Sequence, residues 1–107
     1  GHTGDFSAAV KAVETVDQCL KRLIEKALEH NYEAIVIADH GNSDYMVNDD
    51  GSPHTAHTTN PVPVFYLAAD THGRQLKDGK LGDIAPTILK ILDMEAPNDM
   101  DGDCLFV

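Results

Sequence analysis

Arginine is almost missing from this chain. Arg22 and Arg74 are the only two in 107 residues, and eight Lys and Arg together face 18 Asp and Glu, for a formal charge of -10. Nucleic acid and anionic membrane surfaces need a basic footprint, so neither is expected as a partner. An anionic substrate would also find few cations here. Phosphate binding would have to rest on metal ions or on groups from outside the chain. Cysteine is as scarce. Cys19 and Cys104 show no CxxC spacing and read as reduced thiols of a cytoplasmic protein, not as a disulfide framework. The sequence reads as having neither a signal peptide nor an apolar run of bilayer-spanning length. An initial Met is lacking too: the chain opens in GHTGDF, as a processed, truncated or excised segment would. With 42% hydrophobic residues, residues 1–107 can bury a core and make one domain or part of one.

From Phe6 to about His30, Phe6, Val10, Val13, Val16, Leu20, Leu23, Ile24, Ala27 and Leu28 fall three or four apart. That spacing predicts one amphipathic helix. Thr3 or Asp5 can cap its start, Asp17 and Lys21 form a supportive pair one turn apart, and Asn31 can end it. AIVIA (34–38) is short, β-branched and apolar throughout, as in a strand buried on both faces of a parallel sheet. VPVFYLA (62–68) is a second such strand, with Pro63 confined to its beginning or to an edge. Between them, YMV and NDDG (48–51) predict a small hairpin arm. Asp83 caps a second helix, Pro86 lies in its first turn, and Ile84, Ile88, Leu89 and Leu92 point inward. The remainder, PNDMDGDCLFV, is a loop ending in an apolar segment.

This element order makes an α/β layer fold. A first helix of about 25 residues is about 37 Å long, while a compact chain of this length has a radius of gyration of about 13 Å. Two strands are too few to cover such a helix, which fits a wider sheet.

Asp39 and His40 come where the first strand ends, and open α/β sheets bind ligands outside the carboxyl ends of their strands. Gly41 lets the backbone turn away, and Asn42 can tie the loop through its side chain. A carboxylate beside an imidazole suits Zn, Mn or Fe-type divalent ions. His54 and His57 follow in the next loop, and His2 lies between two glycines. Plainer readings stand beside this one. An isolated Asp-His pair is an ordinary turn, and HTAH can be two solvated loop histidines. NDDG is a hairpin turn and lacks the ligand pattern of an EF-hand. His30 and His72 have polar surroundings, and no serine sits in a nucleophile elbow. The case for metal is the convergence of Asp39, His40 and His57 on one strand end.

GHTGDFSAAVKAVETVDQCL, ADHGN, PHTAHTTNPVPV and LGDIAPTILKIL, in this order, resemble the C-terminal part of the cofactor-independent (2,3-bisphosphoglycerate-independent) phosphoglycerate mutases. These belong to the alkaline phosphatase superfamily. The resemblance covers essentially the whole chain. It implies a partial alkaline-phosphatase-like fold, a central, mostly parallel sheet flanked by helices and incomplete here, with residues 1–107 as the C-terminal part of one metal-binding domain. It implies two divalent ions, commonly Mn, and interconversion of 3- and 2-phosphoglycerate through a phosphoserine. By the same resemblance His2 and His57 are ligands of one ion and Asp39 and His40 of the other, while His54 has a supporting role in its loop.

Members of that family are several times longer. The resemblance places the remaining carboxylate ligands, the nucleophilic serine and the substrate-gripping arginines upstream of this sequence. No catalytic residue is therefore assigned here. The intact enzyme is expected to be a cytoplasmic, monomeric glycolytic isomerase, and this chain alone to be inactive and to self-associate through uncovered apolar surface. Two rival readings remain: another metal-dependent phosphomutase or phosphatase of the superfamily, and a free-standing, non-catalytic metal-binding module.

Overall fold

The computed structural model describes all residues from Gly1 to Val107. It contains a long helix α1 (Phe6–Glu29), strands β1 (Ala34–Ile37) and β2 (Val64–Leu67), a 3-10 turn (Leu81–Asp83) and helix α2 (Ile84–Ile91). These fall into two compact units, Gly1–Ala69 and Asp70–Val107.

In the first unit, Asp5 is the N-cap of α1: its carboxylate accepts the Ala8 N–H at 3.1 Å. Thr3, the alternative cap, instead accepts the Asp5 N–H through its hydroxyl at 3.4 Å. The other end closes as the sequence predicts. Asn31 takes a left-handed φ of 61°, and the Asn31 and Tyr32 N–H groups return to the Leu28 and Ala27 carbonyls, a Schellman closure with asparagine in the usual glycine position. The supportive ion pairs are Lys21–Glu25 and Lys26–Glu29, not Asp17–Lys21. Glutamate reaches lysine on its longer stem, and all four groups stay in water, where such pairs add only a few tenths of a kcal/mol, about 0.3–0.5.

The apolar stripe of α1 forms but stays largely uncovered. Ala9 is buried, and Leu20, Ile24, Ala27 and Leu28 are half-buried, whereas Phe6, Val16 and Leu23 are 64%, 63% and 66% exposed. The two strands pair antiparallel, Ala34 with Leu67 and Ile37 with Val64. This corrects the expectation of parallel-type strands buried on both faces: within this chain each has one neighbour, and Phe65 is exposed. Apolar composition signals eventual burial but does not choose the direction of a neighbour. Pro63 immediately precedes β2, where its missing N–H costs no ladder bond. Antiparallel pairing returns the chain to the end of β1, so residues 38–63 form one connection with both feet at the same sheet edge. Of the candidate ligands, Asp39, His40 and His57 lie in that connection, and His2 comes from the stretch before α1. The predicted arm is present: Val47 bridges Pro53, Asn48 N–H reaches Ser52 O at 2.9 Å, and His54 N–H reaches Met46 O at 2.8 Å.

In the second unit, α2 starts where anticipated, directly after Asp83, but by other means. Asp83 makes no side-chain cap to α2. Its carboxylate faces back, accepting the Lys80 N–H at 2.8 Å and the Asp103 N–H at 2.9 Å. Those bonds hold it below the ordinary aspartate value of 3.8, the Lys80 amide foremost and the Asp103 amide next, with Lys80 and Lys77 adding attraction against the opposing effect of burial. The inward face of α2 is also rotated from the predicted one. Pro86 and Thr87 are buried and Ile84 and Leu89 half-buried, while Ile88 and Leu92 are exposed. The cause is the final segment. Leu76 and Phe106 bridge antiparallel, and Leu105 is buried and donates its N–H to Thr87 Oγ1 at 2.8 Å. The same hydroxyl donates to Asp83 O at 2.7 Å, so the tail seats on the Thr87 side of the helix.

Candidate metal centre

The site is built where β1 stops. Gly41 is buried and bridges Thr58, whose N–H donates to Gly41 O at 2.8 Å. Any side chain at 41 would collide with Thr58 Oγ1 and stand 2.8 Å from Asp44 Oδ1, so glycine is required by close approach. Asn42 ties the loop as predicted, its Nδ2 donating to Ala56 O at 3.2 Å. These bonds stitch the Asp39–His40 loop to the loop that carries His57.

Three of the four predicted ligands come together as rings. His40 and His57 stack with centroids 3.6 Å apart and planes 17° from parallel. His2 meets His57 at 5.2 Å, tilted by 54°. Asp39 Oδ1 lies 3.6 Å from His40 Nε2. No group of three or more His, Cys, Asp or Glu side chains surrounds a single point.

The free atoms suit a divalent cation. His2 Nδ1 lies 3.3 Å from Thr55 O, and His40 Nδ1 lies 3.1 Å from Gly41 O. A carbonyl oxygen only accepts, so both rings carry a proton on Nδ1, and in the neutral ring Nε2 is the nitrogen with a lone pair to offer. Backbone carbonyls fix metal-binding histidines in this tautomer. His40 Nε2 and the Asp39 carboxylate, 3.6 Å apart, set a nitrogen donor beside an oxygen donor. Nitrogen and oxygen donors of this kind admit Mn, Co and Zn.

His54 does something else. Asn48 Nδ2 donates to Ser52 Oγ at 3.0 Å and to Pro53 O at 3.3 Å, leaving Asn48 Oδ1 to accept from His54 Nδ1 at 3.0 Å. Tyr45 meets the ring edge-on at 4.8 Å. The partners of His54 thus lie in the hairpin arm, in keeping with a supporting role. Its Nε2 is buried without a partner.

Sequence reasoning missed the carboxylate of Asp44. It accepts Thr58 Oγ1 at 3.0 Å and Asn60 Nδ2 at 2.6 Å. Its pKa is lowered, chiefly by Asn60, with smaller contributions from Thr58 and the Asp44 and Asn42 amides outweighing slight burial. The available signal was the polar run TTN (58–60) directly after His57, which needs an acceptor nearby.

A family model described as "Metalloenzyme superfamily" matches residues 1–96. The chain belongs to that superfamily. Among its relatives, the 2,3-bisphosphoglycerate-independent phosphoglycerate mutase of Bacteroides thetaiotaomicron is 53% identical over 105 residues, 98% of this chain and 21% of that protein. The enzyme of the same name from Flavobacterium johnsoniae is 55% identical over 100 residues, 94% of this chain and 19% of that protein. A crystal structure of Leishmania mexicana phosphoglycerate mutase at low cobalt concentration superposes with a TM-score of 0.82 at 34% identity, covering 99% of this chain and 22% of that one. The motif resemblance therefore led to the right group of proteins, and the chain's fold is part of theirs. This member of the metalloenzyme superfamily spans about a fifth of the length of the curated relatives it matches.

Proposed function

We propose that the chain is the downstream part of the metal-binding domain of a 2,3-bisphosphoglycerate-independent phosphoglycerate mutase, residues 1–107 contributing to a single domain. In this reading it supplies two half-shells to a two-metal site: His2 and His57 for one ion, Asp39 and His40 for the other. Mn is the favoured occupant. Bound metals activate a nucleophile and stabilise charge on a transferring phosphoryl group. This chain's own residues hold Nε2 lone pairs in place through the Thr55 and Gly41 carbonyls and set the spacing of two ligand loops. The nucleophilic serine and the arginines that grip phosphoglycerate belong, on this reading, to the four fifths of the relatives that the chain does not span. The chain alone then interconverts no phosphoglycerate. A cytoplasmic, glycolytic setting follows from the same reading and suits the two free cysteines.

The observation that carries this reading is the gathering of His2, His40 and His57 from three separate segments, in a chain more than half identical to such mutases. A split-enzyme experiment tests it. The Bacteroides thetaiotaomicron relative, truncated to remove the region matched here, is co-expressed with this chain and assayed with Mn. Activity is expected from the pair and from neither part alone, and His57→Ala or His40→Ala is expected to abolish it. A fully active His57→Ala pair, or turnover by the isolated chain, refutes the assignment.

A further inference from the structure

We infer that Asp44 is a positioning residue, a hydrogen-bonded clasp that holds the two ligand loops at the spacing the His40–His57 pair requires. Its carboxylate leans from the first loop across to the second. Thr58 Oγ1 lies 3.2 Å from Oδ1 and 3.0 Å from Oδ2, and Asn60 Nδ2 lies 2.6 Å from Oδ2. Thr58 directly follows His57. On the backbone side, Gly41 O takes both the His40 Nδ1–H at 3.1 Å and the Thr58 N–H at 2.8 Å. Thr58 is thus gripped twice, by its amide at Gly41 and by its hydroxyl at Asp44. One bonded path runs from Asp44 to the residue beside His57, and another from the Thr58 amide through Gly41 O to the His40 ring. The partners of Asp44 are a hydroxyl and an amide, not a lysine or arginine, so the carboxylate acts by directed hydrogen bonds. Groups that orient metal ligands from behind are worth about 10–100-fold in metal affinity.

Only the metal arm of the test rests on the ligand assignment proposed above. The variants are Asp44→Ala, which removes every bond, and Asp44→Asn, which removes the charge. An asparagine can still accept from Asn60 through its oxygen and donate to the Thr58 hydroxyl, which accepts as well as donates. Two readouts are taken: imidazole proton shifts of His40 and His57 in the metal-free chain, displaced by ring stacking, and Co2+ affinity. In Asp44→Ala the stacking shifts are expected to collapse and Co2+ affinity to fall about tenfold, while Asp44→Asn stays within about twofold of the parent. Unchanged imidazole shifts in Asp44→Ala overturn the clasp. So does an Asp44→Asn variant that falls as far as Asp44→Ala, because charge and not hydrogen bonding would then be responsible. Should Asp44→Ala lose its helical signal, Thr58→Val carries the test: it removes one hydroxyl, and retained stacking shifts in it overturn the clasp. Stacking lost in Asp44→Ala, with no Co2+ uptake by the parent chain, supports the clasp on the ring readout alone; the ligand assignment is then tested by the split-enzyme experiment above.

Discussion

Replacing Gly41 by alanine sets two effects of opposite sign against each other. Gly41 does not need a left-handed backbone, so alanine can adopt its conformation, and restricting the unfolded chain should stabilise by about 0.4–1 kcal/mol. Against this, the new methyl overlaps Thr58 Oγ1 and lies 2.8 Å from Asp44 Oδ1, where ordinary contact begins at 3.4 Å. Thr58 cannot simply retreat, because its amide is bonded to Gly41 O and its hydroxyl to Asp44. Overpacking of this kind costs about 1–3 kcal/mol. The net expectation is a loss of about 1–2 kcal/mol, read from the urea midpoint of the far-ultraviolet helical signal, together with loss of the His40–His57 stacking shifts. Gly51→Ala is the control. Gly51 has a φ of 83° and nothing within 4 Å of the added carbon, so alanine there costs about 1–2 kcal/mol through backbone strain. It should leave the imidazole shifts untouched. An alanine at 41 that matches or exceeds the parent in stability, with stacking intact, would show that the two loops are not held as described.

In the second unit, Thr87→Val should cost about 1–3 kcal/mol, because it strands the buried Leu105 N–H. Thr87→Ser, which keeps the oxygen and loses a methyl, should cost about 1 kcal/mol; serine proving worse than valine in urea melts would refute this. Because Asp83, Asp44 and Asp50 all have folded pKa values below 3.8, the stability they contribute is complete well above that value and is lost as pH falls through and beneath it. Urea midpoints should therefore drop below about pH 4, and Asp83→Asn should flatten that drop; a flat parent profile between neutral pH and acid contradicts it. The uncovered stripe on α1 is expected to drive association of copies, and Val16→Lys with Leu23→Lys to abolish it. A parent chain sedimenting as a monomer at high concentration counts against this.

What could be read from the sequence was whatever depended on local pattern. The stripe from Phe6 to Leu28, the asparagine closure at Asn31 and the NDDG arm each follow from spacing or turn chemistry within a few residues. The candidate quartet came from the motif resemblance, and the rings of His2, His40 and His57 lie side by side. What could not be read depended on partners distant in the chain. Strand direction was one case, since Ile35 and Val36 are equally apolar beside a parallel or an antiparallel neighbour. The inward face of α2 was another: a hydrophobic pattern favours Ile88 and Leu92, but Thr87 is chosen by the Leu105 amide 18 residues on. Asp83 resembles a cap by position and serves instead as an anchor for Lys80 and Asp103. Asp44 escaped notice because an exposed aspartate in an acidic chain carries no signal until Thr58 and Asn60 are seen beside it.

The hairpin arm between the loops that carry His40 and His57 is closed at its base by Met46 O and His54 N–H, and again at its neck by Asn48 and Ser52. At its tip, a side-chain carbon added to Gly51 would meet nothing within 4 Å. The distance between the ligand loops is set below that closure, so the tip can change length without being felt at the rings. Each doubling of a flexible loop costs only about 0.6 kcal/mol. The arm is therefore the place where this chain can absorb insertions, in evolution or by grafting a peptide tag, while the histidines keep their register.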